Sequence, residues 1–362
     1  MTNYNPRNER IKREYFRLLK QADQMSDATI EGVRRALLRF EESTGFADFS
    51  TFDSDQAISF KTALSKTKAE RSGKALTPAT VLSTLRTIQT FFRWLAREPG
   101  YKSKIKANDI RYLNMSRKDV AIATSSGPKR VPTLEQIRAV IAAMPADTEI
   151  GMRNRALIAF TIVTGMRDSA IASLRLKHID VHQQLVSQDP AEVNTKFSKR
   201  IETFFAPVGD DLKQLVIDWV RYLREVKLYG NDDPVFPRTL CVLGPDLCFK
   251  ADGLEPVAWS SAGPIRIIFK EAFEAAGIPY FPPHSFRSTL AILAEKCSRN
   301  GEEMQAWAQN FGHTNALTTF TSYGRISLHR QGEIIRNAGT SDKKADRLNV
   351  VYDYIMRTSA PE

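Results

Sequence analysis

The chain has 362 residues, 42% of them hydrophobic, and carries 52 Lys and Arg against 41 Asp and Glu, a formal net charge of +11. That length is more than one typical domain, so two are expected. Cys241, Cys248 and Cys297 have no metal-like spacing and argue against a disulfide framework, the N-terminus has no apolar h-region for a signal peptide, and no apolar run of about 18 residues marks a membrane span, so a cytoplasmic protein is expected.

The charge is unevenly placed. Residues 1–130 hold 25 basic and 14 acidic side chains, which is the whole net excess, and residues 131–362 hold 27 of each. A basic segment beside a neutral one points to a clamp for a polyanion joined to a second function. Four helices are predicted at 8–23, 27–44, 54–66 and 78–97. In the last, Thr77 caps, Pro78 occupies the first turn, and Leu82, Leu85, Ile88, Phe92 and Leu95 recur at steps of three or four. Arg34, Arg35 and Arg39 on the second helix, and Arg86 and Arg93 on the fourth, fall largely off the apolar stripe and are candidates to meet phosphates. Residues 101–130 hold eight basic and two acidic residues and end in Thr124-Ser125-Ser126-Gly127-Pro128, which reads as a basic linker with a short helix near 107–113. Lys102, Lys104 and Lys106 are placed to track a DNA backbone.

A second domain opens at Val131, where Thr133-Leu134-Glu135-Gln136 has the pattern of a capping box. Helices are predicted at 133–143, 149–164, 168–175, 209–228, 260–276, 285–298 and 302–310. Between them, 178–206 has β character and reads as a small antiparallel sheet with Thr195–Arg200 at a turn. The fold class is therefore mainly α with a small antiparallel β-sheet. The domains are expected at 1–105, 131–330 and a tail at 331–362, with 106–130 as linker. His178 and His182 are four apart but sit at a strand start, and are read as surface residues, not metal ligands.

The residues that carry chemistry come late. Thr164-Gly165-Met166-Arg167 is followed by His284-Ser285-Phe286-Arg287, then by Gly312-His313, and Tyr323 lies ten residues after His313. A phosphodiester is anionic, and guanidinium groups match its oxygens bidentately without losing their charge. A tyrosine hydroxyl, with a pKa near ~10, needs a base to attack, and the leaving 5′ oxygen needs an acid. A covalent phosphotyrosine would keep the bond energy, so that rejoining needs no ATP.

In this order of boxes the chain resembles the tyrosine recombinases, also called the phage integrase family. Residues 164–174 look like the family's first arginine box, 284–287 like its His-x-x-Arg box, and 312–323 like its final His and nucleophile box. Thr195-Lys196 looks like its lysine hairpin, with Lys199 as the alternative. The four-helix region looks like its core-binding domain, set before an α+β catalytic domain. The resemblance implies that Arg167 and Arg287 hold the scissile phosphate, that His313 donates a hydrogen bond to it, and that His284 acts as base toward Tyr323. Lys196 would protonate the leaving oxygen and Tyr323 would become a 3′-phosphotyrosine, with no metal or other cofactor. It further implies double-stranded DNA sites as partner and a homotetramer on DNA formed from free monomers. That tetramer would resolve a Holliday junction, with an accessory directionality factor as an optional further partner.

The chain departs from the family pattern at Ala170, where many relatives carry an acidic residue; Asp168 is close in sequence but about 200° away around a helix. The four-helix region begins near residue 8, so a two-domain enzyme without an arm-binding domain is expected. Residues 343–357 have the pattern of an amphipathic helix, to be exchanged with a neighbouring protomer or packed on its own domain. Two other functions are compatible with these features: a type IB topoisomerase-like relaxing enzyme, and a DNA-binding architectural protein without catalysis.

Overall fold

The computed structural model describes residues 4–68, 73–125, 130–195, 199–244 and 248–313. Lys196, Tyr323 and the tail at 331–362 lie outside the described residues. The chain forms two compact units, Met1–Ser125 and Ser126–Glu362. No helix among the described residues is long and apolar enough to cross a membrane.

In the first unit, α1 (Pro6–Arg17) runs on into a π turn at Leu18–Ala22 and is followed by α2 (Asp27–Ser43), α3 (Ser54–Lys66) and α4 (Pro78–Leu95). Side-chain oxygens of Asn5, Ser26, Asp53 and Thr77 cap these helices by accepting first-turn N–H groups that would otherwise lack partners. The apolar stripe of α4 is buried along its whole length and meets an aromatic cluster from the other helices. Phe52 stacks on Phe92 with centroids 3.9 Å apart, and Phe40 meets Phe60 and Phe92 edge-on at 5.1 Å. One buried carboxylate in this core is paired from its edge. Glu41, fully buried, accepts from Lys12 Nζ at 2.7 Å and Asn8 Nδ2 at 3.2 Å. Removing Lys12 would strand the buried Glu41, at about 3–5 kcal/mol, whereas Lys12 also pairs with the more exposed Glu9 at 2.6 Å.

The expected linker at 106–130 is mostly not a linker. α5 (Ala107–Ile110), a 3-10 turn at Arg111–Leu113 and α6 (Arg117–Thr124) belong to the first unit. Ile105, Ile110 and Leu113 insert into its core, and Lys61 Nζ donates to the carbonyls of Tyr112 and Asn114. Arg111, Arg117 and Lys118 are thus borne on folded structure.

The second unit begins with α7 (Leu134–Ala143), on which the predicted capping box is present: Thr133 Oγ1 accepts from Gln136 N, and Gln136 Oε1 from Thr133 N. α8 (Glu149–Thr164) is buried on every side from Ala156 to Thr164, as expected of a helix that is hydrophobic all round. α9 (Asp168–Ala172) follows, then a sheet of order β1-β2-β3 made of Ile179–Asp180, Leu185–Gln188 and Ile201–Phe204. Its strands are antiparallel, with Val186 opposite Thr203. α10 (Asp210–Arg221) packs on α8.

A second hairpin, not predicted, pairs β4 (Arg238–Leu243) with β5 (Phe249–Glu255). Arg153, buried on α8, anchors it by donating to Pro237 O at 2.9 Å and Thr239 Oγ1 at 3.1 Å beneath the Trp259 ring. Burial lowers this guanidinium to about 10, which still leaves it charged at neutral pH. α11 (Gly263–Ala275), α12 (Pro283–Cys297) and α13 (Gly301–Asn310) complete the described unit.

Candidate active site

Three segments far apart in sequence meet at Arg287. It lies on α12, one turn after Pro283, with Phe286 and Leu290 buried beside it; only 3% of it is exposed. Its Nη1 donates to Gly165 O at 2.9 Å, and its Nη2 donates to Phe311 O and lies 3.0 Å from His313 Nε2. The guanidinium also sits 4.8 Å from the centre of the Phe311 ring. The carbonyl acceptors are neutral, so they orient the fork without cancelling its charge.

Gly165 makes this possible. It ends α8 in the left-handed region at φ +63, and a Cβ there would stand 2.9 Å from Leu290 Cδ1 and 3.2 Å from the Phe311 ring. Only glycine turns the chain here while letting α12 and Phe311 close in. The turn delivers Arg167 to the N-cap position of α9, half-buried.

His313 follows Gly312 just past α13, and its backbone N–H donates to Ala308 O. Its imidazole is pushed down from 6.5 to about 4, first by burial, then by the positive charges of Arg287, Arg167, Lys199 and His284. Arg167, Arg287, Lys199 and His284 therefore all stand near enough to His313 to act on it. His313 is neutral at pH 7. With Nε2 accepting from Arg287, the proton of a neutral ring sits on Nδ1, which is the tautomer able to donate to an anion.

In the unfolded chain the same ring titrates near ~6.5. Its stabilising contribution is thus fully present above pH ~6.5 and is lost as the pH falls toward the folded value. An NMR titration of the DNA-free protein is expected to place the His313 midpoint about 4. A midpoint at or above ~6 would mean that neither burial nor the surrounding cations act on it as described.

The other site candidates differ in exposure and partners. His284, on the first turn of α12, is exposed, as a group that works on a bound substrate can be. Ala170 is buried at 2% exposure, and the nearby Asp168 does not replace an acid there: its Oδ2 pairs with Arg266 Nε on α11 at 2.7 Å. Lys199 is half-buried. His178 corrects its expected surface placement. It lies on a 3-10 turn, 6% exposed, with Nδ1 accepting from Arg175 N and Nε2 2.7 Å from Glu192. His182 is exposed, and no cluster of potential metal ligands occurs among the described residues.

The basic side chains chosen as DNA contacts sit on the first unit's surface. Arg35, Arg86, Arg93, Lys102, Lys104 and Lys106 are exposed, and Arg39 is half-buried. Arg34 is exposed too, but it pairs with Glu31 at 3.3 Å and lies over the Phe16 ring at 4.6 Å, so binding a phosphate would displace an existing partner.

Comparison with known proteins agrees with this architecture. The phage integrase family model matches residues 130–329. Tyrosine recombinase XerC of Bacillus pumilus is 24% identical over 332 residues, covering 89% of this chain and 94% of the relative. Tyrosine recombinase XerD of Neisseria meningitidis serogroup B is 25% identical over 300 residues, covering 82% and 86%. Among solved structures, the Tn1549 transposon integrase in complex with transposon right end DNA superposes with a TM-score of 0.60 at 16% identity, covering 91% of this chain and 99% of that one. A lambda integrase dimer bound to a COC′ core site gives 0.59 at 15% identity, covering 87% and 97%. With its arginine boxes folded around one cationic centre and more than half its length matched by the family model, the chain belongs to the phage integrase family and is a tyrosine recombinase.

Proposed function

We propose that this recombinase cleaves and rejoins specific DNA sites through a 3′-phosphotyrosine on Tyr323, without metal or ATP. The meeting of Arg287 with His313 and with the Gly165 turn that leads into Arg167 carries the reading. Such a centre has the charge to bind a phosphodiester and to stabilise the negative charge that grows on its oxygens. Arg167 and Arg287 hold the scissile phosphate, and His313 donates to it from Nδ1. His284 takes the proton of Tyr323. Lys196 protonates the leaving 5′ oxygen.

The first unit grips the duplex through the basic side chains of α2, α4 and the 102–106 segment, an interaction that weakens steeply with salt. Four protomers assemble on two duplexes and pass through a Holliday junction. The apolar residues of the tail, among them Leu348, Val351 and Ile355, link each protomer to the next. The protein works in the cytoplasm, on the chromosome or a mobile element.

Covalent trapping tests the reading. The protein is first used to select its preferred duplex from a randomised pool, and a nicked version of that duplex is then incubated with it in excess EDTA. An SDS-resistant adduct is expected. Specific binding with no adduct would favour the architectural alternative, and an adduct that forms only with added metal would sink the mechanism. Relaxation of plasmids lacking the selected sequence would favour the topoisomerase alternative.

A further inference from the structure

β3 is an edge strand, because the sheet order is β1-β2-β3. An edge leaves backbone N–H and C=O groups unpaired unless something covers them. Here one side chain does so. Asn310, the last residue of α13, accepts from Phe204 N through Oδ1 at 2.6 Å and donates through Nδ2 to Phe204 O at 3.0 Å. Its primary amide thus makes the same pair of bonds that a residue of a fourth strand would make.

Two further contacts fix the junction. Asn310 O accepts from Thr203 Oγ1 at 3.1 Å, and that buried hydroxyl is itself held by Gln188 Nε2 at 2.9 Å. Gly312, at φ +68, lies so close to the other end of the strand that a Cβ on it would stand 2.5 Å from Ile201 Cδ1. β3 is therefore clamped at both ends to the turn that carries His313, and Lys199 stands two residues before β3. Nothing in the sequence of a helix ending in Gln309-Asn310-Phe311 announces a strand partner.

Resting on the function proposed above, we infer that Asn310 is a positioning residue for the acid side of the site. It holds β3, and with it Lys199 two residues ahead of the strand, in register with His313, so that a lysine at this end of β3 reaches the leaving 5′ oxygen. In the cleavage step the tyrosine oxygen bonds to phosphorus, the bond from phosphorus to the 5′ oxygen breaks, and the departing oxygen takes a proton from the ammonium, leaving a neutral amine. Loss of the Asn310 amide frees the edge of β3 and misplaces the acid, while Arg287 keeps its bonds to Gly165 and Phe311.

The test uses the full-length protein and two nicked duplexes of the selected sequence: one normal, the other with sulfur in place of the bridging 5′ oxygen. A thiolate leaves without needing a proton, so the second duplex reports cleavage with the acid bypassed. Asn310→Ala is expected to cleave the normal duplex about 10- to 100-fold more slowly than wild type, the scale set by displacing a catalytic group by about 1 Å, and the sulfur duplex at close to the wild-type rate. Asn310→Asp keeps the acceptor and the shape but loses the donor; it should show a smaller defect, relieved in the same way. An equal defect on both duplexes would overturn the assignment, since Asn310 would then act through the phosphate clamp or general folding. So would an unchanged rate on the normal duplex. If wild type cleaves neither duplex, the recombinase mechanism itself fails, and this inference with it.

Discussion

Tyr323→Phe is expected to abolish covalent attachment to DNA, with a loss of at least about 10⁴-fold in single-turnover cleavage, the scale on which enzymes respond to losing their nucleophile. Only a hydroxyl is removed, and the cationic centre that binds the phosphodiester is untouched. Affinity for the selected duplex should therefore stay within about twofold of wild type, and its salt dependence should not change, because no phosphate contact is lost. The measurement is paired: gel shift for binding and SDS-resistant adduct for chemistry, on the same nicked duplex. An adduct formed by the phenylalanine variant would mean that another side chain is the nucleophile. Tyr323 lies outside the described residues, so its assignment rests on its place ten residues after His313 and on the family to which the chain belongs. This variant is accordingly the sharpest check on the chemistry.

What the sequence revealed, and what it hid, follows from how each feature is encoded. The stripe of α4 was legible because helical burial repeats at a fixed step: Leu82, Leu85, Ile88, Phe92 and Leu95 are all buried. Residues from the three boxes could be named together because side-chain order survives in the sequence, and the fold brings Arg287 onto His313 and Gly165. α6 was hidden for the opposite reason. None of its residues is buried, so no periodicity marks it, and its charge read as a linker. The β4–β5 hairpin was hidden because much of it is exposed and does not alternate between core and solvent.

The supports of the site were the least visible. Arg287 is held by the carbonyls of Gly165 and Phe311, and a backbone acceptor leaves no mark on residue identity. The one available signal was Gly165 itself, a glycine directly before Met166-Arg167, where a left-handed turn is needed. His178 was misjudged because a polar residue at a strand start is usually exposed. Here Glu192, fourteen residues away, satisfies it.

Those backbone acceptors set the outcome for Arg287→Lys. The guanidinium reaches three acceptors at once, Gly165 O, Phe311 O and His313 Nε2, through two nitrogens held in one plane. An ammonium is a single point with tetrahedral donors on a shorter stem, and it cannot span them. At least one buried carbonyl would lose its partner, at about 1–3 kcal/mol. The buried ammonium would be disfavoured relative to its neutral form, so part of the site's charge would be lost at neutral pH. The permanent planar charge proposed to face the phosphate would be lost as well. Single-turnover cleavage is expected to fall by about 10²- to 10³-fold, the range seen when one preorganised donor to a transition state is removed. The sulfur-bridged duplex should not restore it, because the defect lies in the phosphate's charge and not in the leaving group's proton. Wild-type cleavage by this variant would show that Arg287 merely braces Gly165 against Phe311. A defect relieved by sulfur would instead place Arg287 on the acid side of the site, with Asn310 and the lysine turn.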